Sequence, residues 1–180
     1  ADDGFRVGVV AGLAQDTVVL DGVLVEARQL LGNAGAGMDV ARQAMLQTRL
    51  AVAAACLGSM KRCAQLARRY SPYSTRIQGK LTPNPVTLSR FGSLAARVTT
   101  LEAFVHRIAG AMDAQSVVPA EAFAICKIAG PELLLRAADD LMQLSAQRGA
   151  DEMQRLSTLY GQAGFLRTLV GTDEFRDAAI

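Results

Sequence analysis

The stretch FGSLAARVTTLEAFVHRIAGAM, residues 91–112, decides the fold. Within it Phe91, Leu94, Val98, Leu101, Val105, Ile108 and Met112 step by 3, 4, 3, 4, 3, 4, an apolar seam kept for three heptads. A strand would alternate every second residue. Only a helix packed against other helices puts these side chains on one line. The seam predicts a helix that stops near Asp113-Ala114-Gln115-Ser116.

Upstream, residues 39–70 predict another long helix with Asp39 at its acidic start. Ala41, Ala44, Met45, Thr48, Val52, Ala55, Ser59 and Cys63 recur there at helical spacing, and their small size lets a second helix come close. Ser71-Pro72-Tyr73 ends that helix, and Thr82-Pro83-Asn84-Pro85 closes the following loop. Downstream, a third helix starts at Pro119, suited to a first helical position, with Ile125, Ile128, Leu134, Ala137, Leu141 and Leu144 on its apolar face. Gly130-Pro131 interrupts it. A proline inside a helix removes one backbone bond and costs about 3 kcal/mol, which predicts a kink. A fourth helix covers about Asp151 to Thr168, and Gly171-Thr172-Asp173-Glu174 caps a short terminal helix. The expected fold is mainly α, an up-down-up-down four-helix bundle preceded by a short β segment. The expected boundary divides residues 1–32 from a bundle over 33–180.

That β segment is read from Phe5 to Val10, from Thr17-Val18-Val19-Leu20 and from Gly22-Val23-Leu24-Val25, with Asp21-Gly22 as a turn. Three short strands alone cannot bury both faces, so they read as the edge of a larger sheet. Leu30-Leu31-Gly32-Asn33-Ala34-Gly35-Ala36-Gly37 follows. It lacks the Lys-Ser/Thr ending of a phosphate loop and the glycine spacing of a dinucleotide turn, and reads as a flexible lead into a helix.

The 180 residues are 51% hydrophobic and 20% charged, which excludes disorder, and the 5% aromatic content with no Trp favours helices over a β-sandwich. The longest apolar run, residues 50–60, reaches about 16 Å as helix, half a bilayer core, so no membrane insertion is expected. Ala1 to Gly12 carries no secretory pattern. Cys56, Cys63 and Cys126 are an odd, apolar-flanked set, expected as buried thiols in a reducing, cytoplasmic setting rather than as metal ligands. His106, the only histidine, reads as structural.

Charge is uneven. No acid occurs between Asp39 and Glu102, where ten bases lie, whereas residues 102–180 hold eleven acids against seven Lys or Arg. The basic span fits the phosphates of a nucleotide or CoA, pairing with the later acidic helices, or a solvated face. Nucleic acid is not expected as a partner, since aromatic interleaving is nearly absent. Bare chemistry offers no catalytic set.

The order of segments resembles the C-terminal half of the acyl-CoA dehydrogenase family. Val18-Val19-Leu20-Asp21-Gly22-Val23-Leu24-Val25, Leu30-Leu31-Gly32 and Gly35/Gly37 match the end of that family's middle β-domain and the lead into its bundle. Gly37-Met38-Asp39-Val40-Ala41-Arg42 and TRLAVAAACLG at residues 48–58 match its first bundle helix. Residues 122–129, containing Lys127, resemble its third helix, and Leu169-Val170-Gly171-Thr172-Asp173-Glu174 resembles its Tyr-Glu-Gly-Thr segment. The resemblance implies a flavoprotein in which a carboxylate takes the α-proton of an acyl thioester while hydride leaves the β-carbon for FAD. It makes residues 1–32 the remnant of the middle β-domain and its linker.

The departures from the family pattern fall on its chemistry. The base position before Gly-Thr is Val170, and the alternative base position on the first bundle helix is Thr48. Neither is a carboxylate, and losing a positioned base costs a hundred- to ten-thousand-fold in rate, roughly 3–5 kcal/mol. Arg49 matches the family's arginine beside that second position and is the candidate substrate-binding residue. The family's flavin contacts are eroded: its Arg-x-Gln-Phe-Gly, which reaches the flavin of a neighbouring subunit, is Thr75-Arg76-Ile77-Gln78-Gly79, where Arg76 substitutes after a one-residue shift. Its Gln…Gly-Gly-x-Gly turn is Gln143…Ala146-Gln147-Arg148-Gly149, where side chains in place of glycine obstruct a dinucleotide lying there. Arg76, Gln143, Gly149 and Thr172 are therefore the cofactor-binding candidates. FAD is expected only in a full-length protein, not with this chain alone.

Three readings remain open. One is a C-terminal bundle with weakened or lost dehydrogenase chemistry that serves subunit assembly as a homo-oligomer. Another is a working FAD-dependent oxidoreductase of acyl-CoA or acyl-carrier thioesters, its base supplied elsewhere, with Asp173 and Glu174 as candidates. The third is an unrelated helical interaction module.

Overall fold

A computed structural model describes residues 9–10, 13–14, 22–70, 85–145 and 150–169. The chain forms two compact units, residues 1–42 and residues 43–180.

In the first unit, β1 (Val9–Val10) pairs antiparallel with β2 (Leu13–Ala14), Val9 opposite Ala14 and Val10 opposite Leu13. The strand expected at residues 22–25 is not formed: Leu24 and Val25 lie largely in solvent, 98% and 75% exposed, in irregular backbone. β-branched residues make a strand only with a neighbour to ladder against. The strand expected at residues 17–20 lies outside the described residues. A 3-10 turn at Ala27–Gln29 follows, its Glu26 N–H donating to Gln29 Oε1 at 2.7 Å. Gly32 and Gly35 then adopt φ of +78° and +86°, conformations that tolerate little but glycine, and turn the chain into the first helix.

That helix, α1 (Gly37–Tyr70), begins where the Ala36 carbonyl accepts the N–H groups of Asp39 and Val40. α2 (Pro85–Asp113) starts on a proline, whose missing N–H costs nothing at a first position. α3 (Ala120–Ser145) and α4 (Ala150–Thr168) complete an up-down-up-down bundle, with α3 packed against both α2 and α4. The terminal helix expected after Gly171 lies outside the described residues.

The core draws on all four helices. The α2 seam behaves as its spacing requires: Leu94, Leu101, Val105 and Ile108 are buried, with Phe91, Val98 and Met112 packed at its margins. On α1 the buried side chains are Val52, Ala53, Cys56, Leu57, Met60, Cys63 and Ala67. The small-residue stripe expected to form one face is therefore split. Val52 and Cys63 turn inward, whereas Ala44, Met45, Thr48 and Ala55 are exposed.

α3 runs unbroken through Pro131. The proline is fully buried, and its packing against the core offsets the backbone bond it cannot make. Pro119 sits one residue before the helix, its carbonyl accepting the Ala122 N–H. The expected face of α3 holds at Leu134, Ala137 and Leu141 and departs at its first turns. Ile125 is half-exposed, and Phe123, Cys126, Leu134, Ala137, Ala138 and Leu141 fill the interior. Gly130 marks where α3 meets α1: a Cβ added there would lie 3.1 Å from the Ala53 Cα, closer than side-chain carbons ordinarily approach, so a larger residue would push the helices apart by a few tenths of an ångström.

Candidate functional site

Thr48 and Arg49 are consecutive on α1, and the helix turns them to different surroundings. Thr48 is exposed, and its hydroxyl donates to the Ala44 carbonyl at 2.9 Å, the usual back-bond of a threonine within a helix. Arg49 is half-buried. Its Nε is shielded from solvent and meets no acceptor among the described residues. A buried donor left unpaired costs about 1–3 kcal/mol, so this N–H suits a ligand or a chain segment that brings an acceptor. The one acid of α1 is Asp39, nine residues before Thr48, or about 13 Å of helical rise, and it pairs with Arg42. α1 therefore brings no carboxylate to this position.

Gln143 lies on the last turn of α3, exposed, with its amide open to a partner. Of the residues assigned to a flavin it is the described one, and an exposed amide at a helix end fits such a contact. Arg76, Gly149, Val170 and Thr172 lie outside the described residues. Gly130 of α3 faces Ala53 of α1, and in an up-down-up-down bundle the first and third helices run in the same direction. Thr48 stands five residues before that crossing and Gln143 thirteen after it, which separates them by on the order of 25 Å along the bundle. Thr48 and Arg49 form one locality, and Gln143 belongs to another.

Three bases of the span, Lys61, Arg90 and Arg97, pair with acids of the later helices. Lys61 of α1 bonds Glu102 of α2. That hydrogen bond, helped by the charges of Lys61 and His106, holds the Glu102 carboxyl below its ordinary range despite some desolvation. Arg90 and Arg97 of α2 both reach Asp140 of α3: Arg90 Nη1 lies 2.9 Å from Oδ1, and Arg97 bonds Oδ2. Asp140 is 8% exposed, and sequence reasoning misses this partly buried three-residue cluster. Its partners are 50 and 43 residues away, beyond any local pattern. The available signal is an acid set beside Leu141 on a helix face otherwise apolar. Lys127 is also buried and engaged. Arg167 of α4 pairs with Glu132 of α3 at 2.7 Å.

The three cysteines are buried, as expected, and burial pushes the Cys56 thiol up to about 12 and those of Cys63 and Cys126 to about 11. Thiols so hard to ionise are poor nucleophiles. His106 is exposed. Among the described residues no group of His, Cys, Asp and Glu is arranged for a metal, and no helix is long and apolar enough to cross a membrane.

Comparison with known proteins agrees with this architecture. The mitochondrial very long-chain specific acyl-CoA dehydrogenase of Bos taurus is 25% identical over 157 residues, covering 87% of this chain and 24% of that protein. Butyryl-CoA dehydrogenase from Megasphaera elsdenii superposes with a TM-score of 0.75 at 21% identity, over 87% of this chain and 41% of its own. PigA, solved with FAD and proline, reaches a TM-score of 0.81 at 18% identity, over 98% of this chain and 48% of its own. At these identities the structural likeness establishes the fold. The chain spans about a quarter of the curated relative and less than half of the solved ones. The family model of the acyl-CoA dehydrogenase C-terminal domain matches residues 35–180, most of the chain and its whole bundle. By that match the chain belongs to the acyl-CoA dehydrogenase family, within its C-terminal domain.

Proposed function

We propose that this chain is the helical C-terminal part of a flavoprotein whose acyl-thioester dehydrogenase chemistry is weakened or lost, and that its bundle serves subunit assembly. The carrying observation is the state of α1 at the second base position. A threonine stands there with its hydroxyl committed to the Ala44 carbonyl, and the helix has no acid nearer than Asp39. Val170 removes the first base position by sequence. A flavin, when bound, supplies a hydride acceptor. The roles left to this chain are to hold it, through Gln143 and, in this reading, Arg76, Gly149 and Thr172, and to face the acyl thioester with Arg49.

Assembly is supported by the outward side of α1. Ala44, Thr48, Ala51, Ala55 and Gly58 step by 4, 3, 4, 3 and are all exposed. So small a ridge lets a helix of another subunit approach closely. The separation of roughly 25 Å between Thr48 and Gln143 also agrees with two flavins, each touched by a different chain. A bundle beginning near residue 33, after a β-domain remnant, belongs to the same reading, as does a reducing, cytoplasmic compartment for the three thiols.

One observation favours a second reading, a working FAD-dependent oxidoreductase of CoA- or carrier-bound acyl groups. The shielded, unpaired Nε of Arg49 suits a site completed by a carboxylate from elsewhere. One experiment separates the two. The purified full-length protein is assayed for bound flavin and for acyl-thioester oxidation with an artificial electron acceptor. Bound flavin with negligible turnover supports the first reading; turnover at rates ordinary for enzymes, roughly 1–10³ per second, supports the second and overturns the first.

A further inference from the structure

Asp140, Arg90 and Arg97 form a device whose cost calls for a reason. A carboxylate 8% exposed must be stripped of water, and two long guanidinium side chains must be held still to meet it. Well-packed apolar side chains of similar volume commonly serve stability as well or better. What the ion cluster provides is register: both carboxylate oxygens are bonded, each to a different turn of α2, so the rotation and height of α3 are fixed at that point. The point lies near one end of α3. Gln143 is three residues further on, one turn along the same helix, and is exposed where Asp140 is buried. Leu141 anchors the inner side of that turn.

We propose that Arg90, Asp140 and Arg97 are positioning residues for Gln143, setting the last turn of α3 so that the Gln143 amide presents a fixed donor and acceptor to a bound flavin. The proposal rests on the flavin reading above. The ion cluster touches no ligand itself; it acts through the helix end.

The test is a double-mutant cycle in the full-length protein, reading FAD dissociation constants by flavin fluorescence alongside helical content and melting temperature. One arm is Gln143→Ala. The other replaces the cluster by apolar side chains, Arg90→Met, Asp140→Leu and Arg97→Met together. The expected result is a folded cluster variant of near-native melting temperature whose FAD affinity falls on the order of fivefold, as in Gln143→Ala, with no further loss when the two are combined. Arg97→Lys is expected to restore part of the affinity that Arg97→Met alone removes, because the charge returns without the planar fork. Should the triple replacement fail to fold, the same cycle is read with Arg97→Met in its place. Unchanged affinity in the cluster variant, or losses that simply add, overturns the positioning role and leaves the flavin reading standing. Full-length protein that takes up no FAD overturns both.

Discussion

At the scale of single residues, Gly130 shows how little freedom the packing leaves. A methyl group there would press on the Ala53 backbone at 3.1 Å, where the neighbouring atom is main chain rather than the end of a flexible side chain. Gly130→Ala should therefore destabilise the protein by about 1–3 kcal/mol, even though alanine is the better helix former. Gly92, exposed in α2 with nothing within 4 Å of where a methyl group would stand, provides the contrast: Gly92→Ala should stabilise by about 0.5–1 kcal/mol. Urea unfolding of the two variants checks both signs. The thiols lead to a prediction about pH. Their folded values, about 11 to 12, exceed the 9.0 of a free thiol, so the unfolded chain releases these protons first. Their contribution to stability should be complete below pH 9 and decline as pH rises through 11 to 12, with no effect near neutrality. Alkylation at about pH 8, just below the ordinary thiol range, should label Cys56, Cys63 and Cys126 only after denaturant is added.

Among the elements, α2 is the most legible because its seam faces the core over three full heptads, and Leu101 sits at the middle of it, 1% exposed. Leu101→Ala should cost about 2–5 kcal/mol, measured as a shift in the urea midpoint at unchanged slope. α1 and α3 are legible as helices but less so as faces. Nearly every residue from Leu50 to Leu57 is apolar, so periodicity leaves the inward side undecided, and packing selects Val52, Ala53, Cys56 and Leu57 over Ala55. On α3 the spacing from Ile125 to Leu134 fits the apolar pattern, yet the structure buries Cys126 and Lys127 and leaves Ile125 half-exposed. The departure lies just before the close crossing at Gly130, and a crossing is a property of two helices. At residues 22–25 strand propensity is present, and among the described residues a ladder partner is not.

For the whole molecule, composition and the order of helices already specify a mainly α bundle. The candidate site is legible only by resemblance, since Thr48, Arg49 and Gln143 form no constellation in sequence and lie at separate levels of the bundle. The sequence marks Asp140 only as an acid beside Leu141, and does not show its pairing with Arg90 and Arg97, because these lie 50 and 43 residues away. If the outward ridge of α1 is an assembly surface, Ala55→Arg should weaken association of the full-length protein while leaving its melting temperature at low concentration nearly unchanged, a difference visible by analytical ultracentrifugation. Whether any carboxylate here removes the α-proton is decided by mixing oxygen-free full-length flavoprotein with acyl-CoA and following the flavin's visible absorbance through one turnover. We predict a band that stays oxidised in the wild type and bleaches at least about a hundredfold faster in Val170→Glu. Wild-type protein that bleaches as fast as Val170→Glu would contradict the loss of the base.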